Sequence, residues 1–238
     1  MKKIFLIVLL SCGLYSSSVL KFYSTSKPLH KYIIKSQVSG SITYINDDIK
    51  GKFAKNSTIL KIDDKVDKVR LKQLQNKLYI LNKLINIEQK NYNHIKKFKF
   101  KSQLEKDAQL TKLLNLKSQK ADIKPNITSL QETVSNKTLL SSSDYIYDIA
   151  VEVGEWVNMG SPLYEAHDLS KAKLTIYIPI DIAGQIKTKT IYIDDIKTAY
   201  KIDKLYKVAD KKHISSYKCE IIINSPTNFS SLKKIEFK

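Results

Sequence analysis

Residues 65–97 read KVDKVRLKQLQNKLYILNKLINIEQKNYNHIKK, and residues 102–135 read SQLEKDAQLTKLLNLKSQKADIKPNITSLQETVS. In the first stretch Leu71, Leu74, Leu78, Leu81, Ile85, Glu88, Tyr92 and Ile95 recur in alternating steps of three and four. That spacing draws a narrow seam, the pattern of a coiled coil rather than the wider stripe of a globular helix. Leu113, Leu116, Lys120, Ile123, Ile127, Leu130 and Val134 repeat the pattern in the second stretch. Between them stand Lys96, Lys97, Lys99 and Lys101, then Ser102 with Glu105 three residues on. Ser-x-x-Glu is a capping box, so a second helix starts at Ser102. Two arms, each roughly 50 Å long at about 1.5 Å per residue, joined by a short turn, predict an antiparallel hairpin over 65–137 with its tip at about 96–102. Pro125 lies inside the second arm without breaking the heptad phase. It predicts a kink rather than an end.

The flanks of the hairpin resemble each other. Asn56 to Asp64 precedes it and Gly160 to Asp168 follows it, at a constant offset of 104 positions. In the same register Ile42 matches Ile146, Ile45 matches Ile149, Ile49 matches Val153 and Phe53 matches Val157. One short β-rich unit therefore occurs twice. Each copy holds too few strands to close a core alone. The returning hairpin lets 38–64 and 138–169 fold together as one sandwich. Beyond it the alternation of Leu174, Ile176, Ile178 and Ile180 marks a strand. Short strands around Ile191, Tyr200, Leu205 and Tyr217 to Ile223 follow, spaced as in a small barrel over 170–238. Tyr32 to Val38 reads as a further barrel strand, after a polar linker at Ser24 to Pro28, so 24–37 is linker and first barrel strand. The predicted class is α+β.

The chain has 238 residues and a net charge of +18, with 41 basic residues of which all but one are Lys. Such a charge invites a polyanion. Arginine, the reader of phosphate and base edges, is nearly absent, and no element concentrates aromatics with cations, so no nucleic-acid partner is expected. Residues 1–23 begin with Met1-Lys2-Lys3 and an apolar run from Ile4 to Leu10, an export signal or membrane anchor. Three outcomes stay open: an uncleaved anchor, a lipoprotein acylated at Cys12 in Leu9-Leu10-Ser11-Cys12, or cleavage near Ser16 or Ser18. All three place residues from about 24 onward outside the cytoplasm. With Cys12 in that segment, Cys219 is a packed small residue and no disulfide is expected.

Half-unit, helical hairpin, half-unit, then a β-rich domain resembles the periplasmic adaptor proteins, or membrane fusion proteins, of the HlyD type. Val153-Gly154-Glu155-Trp156-Val157-Asn158-Met159-Gly160-Ser161-Pro162-Leu163 is similar to that family's Gly-x-x-Val-x-x-Gly-x-x-Leu in its lipoyl-like domain. In the first half Lys50 and Asn56 stand where the family has glycines. The resemblance implies a split lipoyl-like sandwich carrying the hairpin, followed by a β-barrel. It implies a non-catalytic adaptor between an inner-membrane transporter of RND or ABC type and a TolC-type outer-membrane channel. It also implies self-association into a ring, in the periplasm, anchored to the inner membrane by the N-terminus. The family's channel-docking pattern at the tip falls on Asn91, Ile95 and Ser102, with Asn91 replacing an arginine. A swinging-arm carrier is excluded, because the helices occupy the place of its modified lysine.

No catalytic, metal or cofactor constellation is expected. His167-Asp168 ends a half-unit and reads as a polar turn. Asp47-Asp48, Asp63-Asp64 and Asp194-Asp195 read as turn acids, and no phosphate loop, nucleophile elbow or zinc spacing occurs. The rival reading is a membrane-anchored structural coiled-coil protein of the envelope without a pump partner. Replacing Cys12 by Ser separates the routes of anchorage. Loss of metabolic acyl labelling together with release from the membrane marks the lipoprotein, and unchanged membrane retention marks the uncleaved anchor.

Overall fold

The structure, a computed structural model, describes residues 19–238. Residues 1–18 of the candidate signal or anchor, Cys12 among them, lie outside the described residues. The chain is α+β, with two long helices and otherwise antiparallel strands. It divides into two compact units, residues 31–167 and residues 168–238 with the N-terminal segment to His30.

In the first unit, β3 (Gly40–Ile45), β4 (Lys52–Ile62), β5 (Thr138–Ile149) and β6 (Trp156–Val157) combine with the beginning of β7 (Pro162–Pro179). Their pairing is antiparallel: Ile42 with Ile62, Lys61 with Thr138, Tyr145 with His167, and Gly40 with Val157. Ile59, Leu60 and Ile62 from before the helices pack in one core with Ile146, Val157 and Leu163 from after them. Neither half buries these side chains alone. Each buried aliphatic contributes about 1.5–3 kcal/mol of transfer free energy, and that stabilisation exists only when the halves meet. Asn56 adopts φ 52°, in the left-handed region that asparagine tolerates better than most residues, and Gly160 sits at φ 89°.

The helices α1 (Lys65–Lys97) and α2 (Gln103–Ser135) have 33 residues each. All eight seam positions of α1 and all seven of α2 are buried or half-buried, and most of the remaining surface is exposed. The arms run antiparallel. Asp67 meets Lys137 at one end, while Glu88 meets Lys112 nearer the other. Pro125 lies within α2, whose helix continues on both sides of it. The base is closed by Lys137, whose buried ammonium donates to the Asp63 carbonyl at 2.6 Å and to Asp67 Oδ2 at 2.5 Å. Beside it the Ile62 N–H donates to the Lys137 carbonyl at 2.8 Å. The helices thus leave and rejoin the sheet between two neighbouring strands.

In the second unit β1 (Leu20–Thr25), β12 (Leu232–Phe237), β8 (Ile191–Ile193) and β9 (Ile196–Lys197) form one sheet in that order. The far part of β7 pairs with β11 (Ser216–Asn224), which pairs with β10 (Ile202–Leu205). Leu174, Ile176, Ile178, Cys219, Ile235 and Phe237 share its core. Three expectations are corrected. Tyr32 to Val38 is not a barrel strand: it belongs to the first unit, where Ile34 and Val38 pack in the core with Ile42 and Leu163. Ser24 to Pro28 is not a linker: β1 ends at Thr25 and β2 (Lys27–Lys35) begins two residues on. Residues 20–23, assigned above to the signal or anchor, are also strand, paired from Leu20 with Phe237 to Thr25 with Leu232. The physical reason is Phe22, which inserts edge-on against Phe237 at 5.9 Å and makes an apolar run part of a core.

Because β4 and β5 are paired neighbours, replacing residues 65–136 by a short Gly/Ser loop is expected to leave a β domain with cooperative thermal unfolding. Non-cooperative melting of that variant counts against a core shared by the two halves.

Candidate functional site

The far end of the helical pair is built by a short chain of local causes. The α1 ladder stops at Lys97, where the Phe98 N–H donates to the Ile95 carbonyl at 3.1 Å and Phe98 turns extended. Five residues later Ser102 starts α2. Its hydroxyl accepts the Glu105 N–H at 3.2 Å, and the Glu105 carboxylate accepts the Ser102 N–H at 3.0 Å, completing the capping box. Lys101 reaches the same carboxylate at 2.7 Å, and this contact leads in holding Glu105 below the ordinary carboxylate range.

The three residues that the family pattern picks out are each engaged in this construction. Ile95 is the last seam side chain, half-buried between the arms. Ser102 is the cap. Asn91 donates from Nδ2 to Glu88 Oε2 at 3.2 Å. Glu88 itself is only 7% exposed within the seam. It receives Lys112 at 2.6 Å and the Gln109 amide at 2.5 Å, so the buried charge is compensated from the opposite arm. The Lys112 hydrogen bond is the first cause that lowers its pKa, followed by those of Gln109 and Asn91.

Asn91 and Ser102 are nonetheless exposed, and further side chains stand exposed beside them. Phe100 is 101% exposed, Phe98 56% and Leu104 80%. Lys96, Lys97 and Lys99 surround them, and among the described residues none of the three makes an ion pair. The tip thus presents exposed apolar side chains close in sequence to unpaired cations. Sequence reading noted the lysines and passed over the phenylalanines. The available signal was their position: both fall in the five-residue break between the two helices, where no core can claim them.

Among the described residues no group of three or more His, Cys, Asp or Glu side chains is placed to hold a metal ion. His167 is corrected from a turn to a strand residue, 5% exposed. Its Nε2 lies 2.6 Å from Glu165 Oε1 and its ring stacks on Tyr147 at 4.6 Å. That contact leads in lowering the Glu165 pKa, with Lys31 adding to it. Among the described residues no helix is long and apolar enough to cross a membrane.

No family model matches the sequence, and no curated protein matches it. Solved structures do. One is a MacA–MexA chimera containing the Pseudomonas aeruginosa MexA α-hairpin domain, with a TM-score of 0.72 at 15% identity, covering 92% of this chain and 80% of that one. The membrane fusion protein Spr0693 of Streptococcus pneumoniae gives 0.69 at 11% identity, over 92% and 98%. MacA of Actinobacillus actinomycetemcomitans gives 0.59 at 18% identity, over 92% and 78%. The chain has the fold of the membrane fusion, or periplasmic adaptor, proteins.

Glu88 gives the hairpin a defined acid limit. Its folded pKa lies below the ordinary 4.5, so its stabilising bonds are complete above that value and are lost as pH falls through the folded pKa. Circular dichroism should show helical stability falling below about pH 4.5 in the wild type. Glu88→Leu should flatten that limb, and an unchanged limb would assign it to other groups.

Proposed function

We propose that this protein is a non-catalytic periplasmic adaptor. It links an inner-membrane transporter to a TolC-type outer-membrane channel in a tripartite export system and works as a ring. Its N-terminal segment anchors it to the inner membrane. In this reading residues 38–64 and 138–169 form a lipoyl-like domain, 65–137 a coiled-coil hairpin, and 170–238 with β1 a barrel.

The observation that carries the reading is the helical end. Two 33-residue arms return the chain to adjacent strands and raise a charged, aromatic apex roughly 50 Å from their base at about 1.5 Å per residue. A helical pair needing only its own stability has no use for a fully exposed phenylalanine among unpaired lysines. Asn91 and Ser102, both exposed, and half-buried Ile95 form the docking tip. Phe98, Phe100 and the lysines supply its contact chemistry. The likeness to membrane fusion proteins gives the fold in which such a tip has this use.

A photo-crosslinking residue placed at position 100 of the full chain in its native envelope should yield an adduct with an outer-membrane channel, and an inner-membrane transporter should co-purify. Phe100→Asp should remove the channel contact at least tenfold while helicity and membrane level stay normal. Ser102→Arg, which sacrifices a cap worth about 1 kcal/mol, should do the same. If position 100 links only to lipid or to nothing, the tip is not the docking surface and the structural coiled-coil reading gains.

A further inference from the structure

The second unit is not closed all round. One of its sheets ends on β9 and the other on β10, and among the described residues these two edges do not pair with each other. Residues 198–201 carry the chain across the gap. One end of that crossing is pinned to β8, where the Thr198 N–H and hydroxyl donate to the Ile191 carbonyl at 3.0 and 2.8 Å. The other end enters β10, where Ile202 pairs with Ile221. A turn of 3-10 helix, Gln185–Thr188, comes next to it and ends as the Lys189 N–H donates to the Ile186 carbonyl at 3.2 Å. Thr190 then exchanges two backbone hydrogen bonds with Lys238. These bonds hold the frame of a cavity of about 640 Å³.

Its lining has two chemistries. Ile186 and Ile191 belong to the core of the unit, while Ile202 and Leu205 pack against that core and stay half-buried. An apolar floor therefore reaches the cavity. Lys187, Lys189 and Lys201 line it as well. Among the described residues none of the three makes an ion pair, and the one acid of the lining, Asp203, makes none either. Other lysines of this unit do find carboxylates: Lys218 reaches Glu220, Lys233 reaches Asp194 and Lys238 reaches Glu236. The half-buried Tyr200 also lines the cavity, and among the described residues its hydroxyl makes no hydrogen bond. Unpaired ammonium groups around one opening repel each other, and a low-dielectric floor beside them strengthens their attraction for an anion.

We propose that this cavity binds a single-chain anionic amphiphile, its carboxylate or phosphate held by Lys187, Lys189 and Lys201 and its aliphatic chain laid over Ile202 and Leu205. The volume falls within the range of small-molecule sites, about 300–1,000 Å³. Such sites combine an apolar lining with a few convergent polar groups, which is the composition found here. A wholly polar anion would leave the aliphatic floor uncovered. A neutral apolar molecule would leave the surplus of lysines over Asp203 uncompensated. An amphiphile answers both, and the Tyr200 hydroxyl supplies a neutral donor for its head. A floor of four aliphatic side chains serves one chain. The site lies wholly within the second unit, so it does not rest on the adaptor reading or on the hairpin.

The test uses the full chain purified in digitonin, a nonionic detergent without an alkyl chain, and a dodecanoate carrying a photoreactive diazirine. Irradiation should label residues 186–205. Excess dodecanoate or dodecyl phosphate should cut the labelling about fivefold, whereas dodecanol should not. Lys187→Ser together with Lys201→Ser should lower it about fivefold as well. Both side chains are exposed, so thermal unfolding of this variant should stay cooperative. Ala199→Trp, also at an exposed position of the lining, should fill the cavity and block labelling without changing a charge. Labelling that is absent, falls outside 186–205 or survives both variants overturns the site. Equal competition by dodecanol overturns its preference for an anion. Equal competition by a two-chain phosphatidylglycerol assigns the site to bilayer lipid and overturns the single-chain ligand.

Discussion

The Lys137 ammonium, held by the Asp63 carbonyl and the Asp67 carboxylate, joins positions 74 residues apart in the chain. The rest of the first unit depends on that closure. The sheet needs β4 beside β5, and a flexible loop of that length would close at an entropic cost that grows with its logarithm. Two helices avoid the problem, because each removes its own residues from the disordered count and returns the chain to its start. What remains is a short junction, and a single cation satisfies it. Removing one partner of such a buried pair leaves the other uncompensated, so the junction tolerates replacement poorly.

Glu88 constrains the same helical pair in another way. A leucine there would extend the apolar seam and add transfer free energy. It would also weaken the distinction between the correct alignment of the arms and one displaced by a heptad. A carboxylate that is satisfied only when Gln109 and Lys112 arrive from the opposite arm makes displaced alignments leave that charge without its partners. Polar seam residues set register in this manner at some expense of stability. Asn91, itself exposed, adds a third hydrogen bond to the same carboxylate.

The parts of the structure that were legible in sequence are those where one periodicity governs many residues. Fifteen seam positions could be read because a helix offers each residue a single angular place. The capping box was readable because two side chains and two N–H groups have one geometry. Asn56 was noted where a glycine belongs, and the left-handed backbone explains the substitution. The strands β1 and β12 were not legible. An apolar run at the start of a chain looks the same whether it enters a membrane or a core, and Phe22 is decided only by Phe237, at the far end of the sequence. His167 was misread for a related reason: a polar residue in a strand becomes buried only through a partner, and Glu165 lies two residues away on the same strand.

Functional surface on a helical hairpin is found where the governing pattern lets go. Seam residues are consumed by the opposite arm, and caps by the helix ends. A residue that contacts something outside must lie off the seam or in the break between helices. Phe98 and Phe100 satisfy the second condition, and Ile80, Leu84 and Ile87 the first. All five are exposed, so packing within one chain gives no reason for their apolar character. Scattered single apolar residues need no explanation on a protein surface. Aromatic residues gathered at an apex, and aliphatic residues aligned at helical spacing on one flank, do need one. The end-on contact proposed for the apex supplies it for Phe98 and Phe100.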